Sequence, residues 1–170
     1  AGERPDEHMR EYTSVIISEA DRLAGLVDAL LGPGHAPRRE LTNIHELTQH
    51  VRHLLVADAP GVSVERDYDP SLPPLALDRN QIIQAMLNLG RNALQAIAQN
   101  AGGNGRIVLR TRALTNFNIG TRRHRLVASV QFEDNGPGVP DHLRDTLFYP
   151  LVTGRADGTG LGLAVAQDLV

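Results

Sequence analysis

Three residue types are missing from this chain of 170 residues, cysteine, lysine and tryptophan. Without cysteine there is no disulfide framework. Without lysine there is no Walker loop, whose Gly-rich turn needs a Lys before its Ser or Thr, so a P-loop nucleotide site is excluded. No apolar run of 18 residues and no signal-peptide pattern occurs, so neither a membrane span nor secretion is expected and the cytosol is the default compartment. Neither sign of charge dominates. The 17 arginines against 20 acids leave a net charge of −3, which lays down no basic footprint for nucleic acid. There is no internal repeat. What remains is a length that buries roughly 70% of its unfolded surface, enough for one core and an appendage.

The appendage comes first. From about Asp6 to Leu31, residues Met9, Tyr12, Ile16, Ala20, Leu23, Val27 and Leu30 step by three and four, which predicts one amphipathic helix stopped by Gly32-Pro33-Gly34. A lone helix cannot bury such a stripe, so it docks on its own domain or on partner helices. The Pro-, Gly- and Arg-rich stretch over 32–42 reads as a linker. Asn43 with Glu46 then forms a capping-box pattern opening a helix to about Ala57. Val62, Val64, Arg66 and Tyr68 alternate as a strand, and Arg66 on its apolar side marks it as an edge. Leu75–Leu77 is a short strand, with Asp78 and Gln81 at the start of a helix over about 81–99. Ile107–Ala113 and Leu126–Glu133 are strands paired across a loop of about twelve residues. Helices and mainly antiparallel strands segregated in this way imply an α+β two-layer domain over 43–170.

Asn88 and Asn92 stand at i and i+4 on the 81–99 helix and share one face, extended by Gln84 and Gln95. Ile82, Met86, Leu89, Ala93 and Ile97 form the core-facing stripe on the other side. An Asn amide oxygen suits Mg²⁺, a hard cation that takes few protein ligands beside phosphates. Asp134 ends the second long strand and opens Asp134-Asn135-Gly136-Pro137-Gly138. A carboxylate there can accept the exocyclic amine of adenine and reject guanine, which shows a carbonyl, while Gly136 and Gly138 let backbone approach the base. Asp-Asn-Gly is also a hairpin signal. Pro137 and Pro140 speak against that reading, since a following paired strand would lose two donors.

Gly158-Thr159-Gly160-Leu161-Gly162-Leu163 opens the last apolar stretch and would set backbone N–H groups at a helix N-terminus, where oxyanions bind. Leu163 occupies the position at which a dinucleotide fingerprint needs a small residue, so a Rossmann site is not expected. Between Gly138 and Gly158, the segment holding Phe148, Tyr149, Pro150, Thr153, Gly154, Arg155 and Asp157 reads as a mobile cover. Glycines hinge it at both ends, Phe148 anchors it, and Arg155 is placed to meet phosphates on closure. His45-Glu46 invites a zincin reading, but His50 follows at i+5, about 140° round the helix, so zinc is not expected. His45 is expected on the helix surface.

Taken in order, Gln84 to Ala93, Asp134 to Gly138, Phe148 to Pro150 and Gly158 to Leu163 resemble the N, G1, F and G2 boxes of histidine-kinase ATP-binding domains. That fold, known as GHKL or Bergerat, is shared with gyrase, Hsp90 and MutL-type ATPases. The resemblance implies ATP and Mg²⁺ as cofactors. Asn92 would hold Mg²⁺, Asn88 would lie near the phosphates, Asp134 would read adenine, Gly138 would pack near the base, and Gly158 to Gly162 would line the phosphate channel. Across nearly the whole chain, Glu19 to Leu23, Leu31 to Pro33, Asn43 to Glu46, Arg91 to Ala96 and Asp145 to Pro150 are similar to nitrogen-regulation sensor kinases of the NtrB type. That similarity implies a cytoplasmic two-component kinase that passes phosphate to an NtrC-like response-regulator receiver domain and answers to a PII-type signalling protein. Residues 1–31 would be the second helix of a homodimerisation hairpin.

Two departures bear on the roles. Many such kinases carry a lysine shortly after the second asparagine; here Gln95 stands in that region, leaving Arg91, Arg155 and Mg²⁺ to neutralise phosphate. None of the seven histidines sits in a phosphoacceptor box, so the resemblance implies an acceptor outside this chain, and a fold that continues past Val170. An ATPase or ATP-dependent switch is the alternative. Relatives of that kind activate water with a carboxylate on the asparagine helix, where this chain offers Gln81, Gln84 and Gln95, with Asp78 the nearest acid. Slow hydrolysis is therefore expected. A plain interaction module with a dead pocket would bind no nucleotide at all.

Overall fold

The computed structural model describes residues 12–13, 38–99, 104–146 and 149. The helix expected over 6–31 therefore lies outside the described residues except at Tyr12 and Thr13, which are helical and exposed.

The last residues of the stretch read as linker, Glu40–Thr42, form a strand, β1. Asn43 then caps helix α1 (Ile44–Asp58), its side-chain oxygen accepting the His45 amide at 2.9 Å. The cap is the one expected, but the reciprocal Glu46 half of the box is not used. Glu46 instead lies 3.7 Å from Arg79. Strands β2 (Ser63–Asp67) and β3 (Leu75–Leu77) follow. Asp78 caps helix α2 (Arg79–Ala98), and two long strands, β4 (Arg106–Ile119) and β5 (Arg122–Asp134), lead into a 3₁₀ segment over Asp141–Thr146.

β1 pairs antiparallel with β3, whereas β2, β4 and β5 form a mixed sheet in that order. β2 runs parallel to β4, with β3 and α2 as the crossover between them, the long connection that parallel pairing requires. Among the described strands β2 stands at an edge, in line with Arg66. α1 and α2 cover the inner face, so the architecture is the expected two-layer α+β sandwich. Ile44, Leu47, Val51 and Leu55 project from α1 at 3-4-4 spacing onto Met86, Ala93 and Ile97 of α2 and onto Val64, Ile107 and Leu109 of the sheet. Leu47, Leu55, Ile107 and Leu109 are fully buried. Each such side chain contributes about 1.5–3 kcal/mol relative to exposure.

Three expectations need correction. The core stripe of α2 passes through Gly90 rather than Leu89: Gly90 is buried where a Cβ would stand 2.6 Å from Leu55 Cδ1, and Leu89 is only half-buried. The loop expected between Ala113 and Leu126 is instead strand, running on to a two-residue turn at Gly120-Thr121. Gly120 has φ +56 at the first turn position, where tight hairpins call for glycine. Beyond the helical layer neither face of this hairpin is buried, with Phe117 45% and Ile119 53% exposed, so Asn116, Asn118, Arg122, Arg123 and Arg125 crowd both strands and give the segment the composition of a loop. Finally, His45 is no surface residue. It is half-buried, stacked on Tyr68 with ring centroids 5.1 Å apart, and its Nε2 lies 3.0 Å from Oγ1 of the buried Thr111. Because Thr111 Oγ1 already accepts the Asp69 amide, its own proton is free to go to His45.

Where β2 stops, Asp69 takes over its work on β4. Oδ2 accepts the Ala113 amide at 2.9 Å, and Oδ1 accepts from the amide and hydroxyl of Ser71. These donors, the Ser71 hydroxyl foremost and the Ala113 amide next, hold the Asp69 carboxyl down to a pKa of about 2.

Candidate functional site

Asn88 and Asn92 sit on the face of α2 turned away from Met86, Gly90, Ala93 and Ile97. Both are half-buried, and neither side chain makes a hydrogen bond among the described residues. Asn is a mediocre helix former and ordinarily spends its amide on nearby backbone. Two unspent amides one turn apart leave two carbonyl oxygens for something other than protein.

One further turn along the same face lies Ala96, and on it rests the turn after β5. A Cβ at Gly136 would stand 2.8 Å from Ala96 Cβ and 3.1 Å from its carbonyl carbon, so only glycine allows this approach. The turn is locked from two sides. Asp134 Oδ1 accepts the Gly136 amide at 2.9 Å. Asn135 accepts the Arg106 amide at 2.8 Å through Oδ1 and donates through Nδ2 to the Asn104 carbonyl at 2.9 Å, tying the turn to the start of β4. Asp134 is exposed, and its Oδ2 has no partner among the described residues. Gly138 has φ +78 with open space around its Cβ position, so its glycine is demanded by backbone conformation. No paired strand follows among the described residues, in keeping with Pro137 and Pro140.

The structure thus brings Asn88, Asn92, Asp134 and Gly136 to one helix and the turn against it, with Gly138 two residues further on. Arg91 takes a different direction: it is exposed and its Nε is 3.9 Å from Asp58 at the end of α1. Such an exposed pair is worth little. Phe148, Thr153, Arg155, Gly158, Thr159, Gly160, Leu161 and Gly162 lie outside the described residues. Two participants were not foreseen. Asn135 was read only as part of a turn, because its partners Asn104 and Arg106 are some thirty residues away in sequence. Ala96 carried no signal, since a small residue on a polar face looks like filler.

A separate set of paired charges stands on β2, β4 and β5. Arg106 bonds Glu65 through both Nε and Nη2, and Arg112 and Arg110 both bond Asp67, with Arg110 also reaching Glu133. The Arg106 bond lowers the Glu65 pKa, and the Arg112 bond, then the Arg110 bond, lowers that of Asp67. Among the described residues no group of His, Asp or Glu is arranged to hold a metal ion. No helix among them is long and apolar enough to cross a membrane.

Residues 77–170, which begin at the end of β3 and take in α2, β4, β5 and the Asp134 turn, match the family of histidine kinase-, DNA gyrase B- and HSP90-like ATPases. The chain belongs to that family. Among its relatives, the sensory histidine kinase/phosphatase NtrB of Escherichia coli O157:H7 is 50% identical over 167 residues, which are 98% of this chain and 47% of that protein. The chain thus spans about half the length of the curated relatives it matches. The catalytic domain of histidine kinase ThkA superposes with a TM-score of 0.62 at 25% identity, covering 77% of this chain and 78% of that one. Histidine kinase ThkA in complex with response regulator protein TrrA matches 99% of this chain and 46% of its own, with a TM-score of 0.66 at 23% identity, a likeness of fold. The asparagine helix and the Asp134 turn both lie within the residues that match this family.

Proposed function

We propose that the chain is the ATP-binding catalytic part of a two-component sensor histidine kinase of nitrogen-regulation type. The observation that carries this reading is the pair of unspent Asn88 and Asn92 amides on the helix face against which the Asp134 turn is seated. The residues fit the groups they would hold. Asn92 offers a neutral hard oxygen of the kind Mg²⁺ accepts beside phosphates. Asp134 offers Oδ2 as acceptor for an exocyclic amine while Gly136 holds Oδ1 in place. Bound Mg²⁺ would offset phosphate charge. The chain's own work is then positioning: Asp134 and Gly138 set the purine, Asn88 and Asn92 the phosphate end, and residues 153–162, with Arg155, close over it.

The reaction is transfer of the ATP γ-phosphoryl group to an imidazole nitrogen outside this chain. The bond from γ-phosphorus to the bridging oxygen breaks as the N–P bond forms, ADP leaves, and the imidazole proton is released. Passage to an aspartate of an NtrC-like receiver domain, response to a PII-type protein, homodimerisation through residues 1–31 with the stretch ahead of Arg38 as linker, and a cytoplasmic setting complete the proposal. The names of the NtrB relatives, aligned over 98% of this chain and 47% of their own length, support its kinase part. Hydrolysis as the main activity is disfavoured, because α2 carries no acid beside its asparagines, and the acid at its start, Asp78, already accepts three backbone N–H groups and is not free to activate water.

Calorimetric titration tests the reading. Mg-ATP should bind, GTP should not, and Asp134→Asn should erase that preference by putting a donor where the acceptor stood. Asn92→Ala should weaken binding only when Mg²⁺ is present. Absence of heat with Mg-ATP would sink the proposal, and equal losses for Asn92→Ala with Mg²⁺ and with chelator would remove that residue from the metal.

A further inference from the structure

The asparagine helix does not begin alone. Its cap, Asp78, uses Oδ1 to accept the amides of Asn80 at 3.0 Å and Gln81 at 3.2 Å, as an N-cap should. Its other oxygen faces backwards. Oδ2 accepts the backbone N–H of Arg38 at 2.8 Å, forty residues earlier and just ahead of β1. β1 then pairs antiparallel with β3, Glu40 opposite Leu77, Leu41 opposite Ala76 and Thr42 opposite Leu75, and β3 ends one residue before the cap. Arg79, first residue of α2, lies 3.6 Å from Glu40 and 3.7 Å from Glu46. Residues 38–42 are therefore stitched to the few residues from which α2 starts.

An α-helix is stiff along its axis and rises about 1.5 Å per residue, so Asn88 and Asn92 stand only about 15–21 Å from the cap on one rod. At the far end Gly136 touches Ala96 with no room for even a methyl group. A shift of the helix start is carried to both asparagines and to their seating against the Asp134 turn.

We propose that Asp78 is a positioning residue which, by holding the Arg38 N–H, couples the order of residues 38–42 to nucleotide binding at the asparagine helix. The coupling rests on the nucleotide reading above, and it is reciprocal: whatever tightens one end tightens the other. The segment entering the fold becomes the place where an upstream movement reaches the nucleotide site.

Proline lacks the backbone N–H, so Arg38→Pro removes this one donor and leaves the Asp78 cap of α2 intact. Arg38→Ala removes the charge and keeps the donor. Asp78→Asn keeps an oxygen for the cap and turns an amide against the Arg38 N–H. Two readouts are needed for each variant of the 170-residue chain: affinity for Mg-ATP, and amide exchange over residues 39–42 with and without Mg-ATP. In the wild type, Mg-ATP should slow that exchange. Arg38→Pro and Asp78→Asn should each weaken binding about fivefold or more, the lower end of allosteric coupling, and abolish the nucleotide-dependent protection; Arg38→Ala should do neither. Loss of affinity in Asp78→Asn alone would reduce the residue to a helix cap and overturn the proposal. So would equal affinity in all four proteins, or exchange over 39–42 that ignores nucleotide. Failure of the wild type to bind Mg-ATP would instead overturn the functional reading beneath it.

Discussion

Replacing Gly136 by alanine asks the site its sharpest question. The new methyl would stand 2.8 Å from Ala96 Cβ, 2.8 Å from Asp134 Oδ1 and 3.1 Å from the Ala96 carbonyl carbon. None of the three yields easily. The Ala96 backbone is fixed in α2, and Asp134 Oδ1 is held by the amide of residue 136 itself. The turn must lift off the helix, carrying Asp134 with it. Overpacking of this kind costs about 1–3 kcal/mol. If that cost falls on the bound geometry, affinity for Mg-ATP drops about five- to a hundredfold, at 1.4 kcal/mol per tenfold. Ala96→Gly should restore part of the loss, since it removes the methyl clash and leaves the backbone contact, at about 1 kcal/mol of helix propensity. Calorimetric titration with Mg-ATP and urea unfolding of the two single variants and the double variant separate binding from stability. Affinity within twofold of wild type at an unchanged unfolding midpoint would refute the idea that the turn is seated on α2.

Gly90→Ala should destabilise the fold although alanine is the better helix former by about 1 kcal/mol, because its methyl would meet Leu55, which is fully buried and cannot swing out. In a Leu55→Ala background the sign should reverse, and additive unfolding energies across the four proteins would contradict it. Asp69, with its pKa held to about 2, contributes stability that is complete above the ordinary carboxylate range near pH 4 and is lost as pH falls through about 2. Asp69→Asn should flatten that part of the acid-unfolding curve by circular dichroism, and an unchanged curve would place the acid sensitivity elsewhere.

How much of this was legible follows from what leaves a periodic trace. Asn88 and Asn92 were readable because a polar pair at i and i+4 interrupts an apolar helix, and Asp134 because it ends an alternating strand. The capping residues Asn43 and Asp78 were readable from their type and place. Contacts between distant segments left no such mark. Nothing local says that Glu40–Thr42 will find Leu75–Leu77, that Asn135 will reach back to Asn104, or that β2 will lie parallel to β4. Gly90 escapes hydrophobic patterning, which gives weight to side chains, because there the packing is made by having none. His45 looks like a surface residue in sequence because its partners, Tyr68 and Thr111, come from two other parts of the chain.

The hairpin of β4 and β5 offers a practical handle. Asp134 is at its base, opposite Ile107, whereas the Gly120-Thr121 turn closes its far end. At about 3.3 Å per residue the two ends are roughly 40 Å apart. In a chain without a thiol of its own, Thr121→Cys would give a unique attachment point at an exposed position, and a dye fixed there could follow docking and tumbling without disturbing the Asp134 turn.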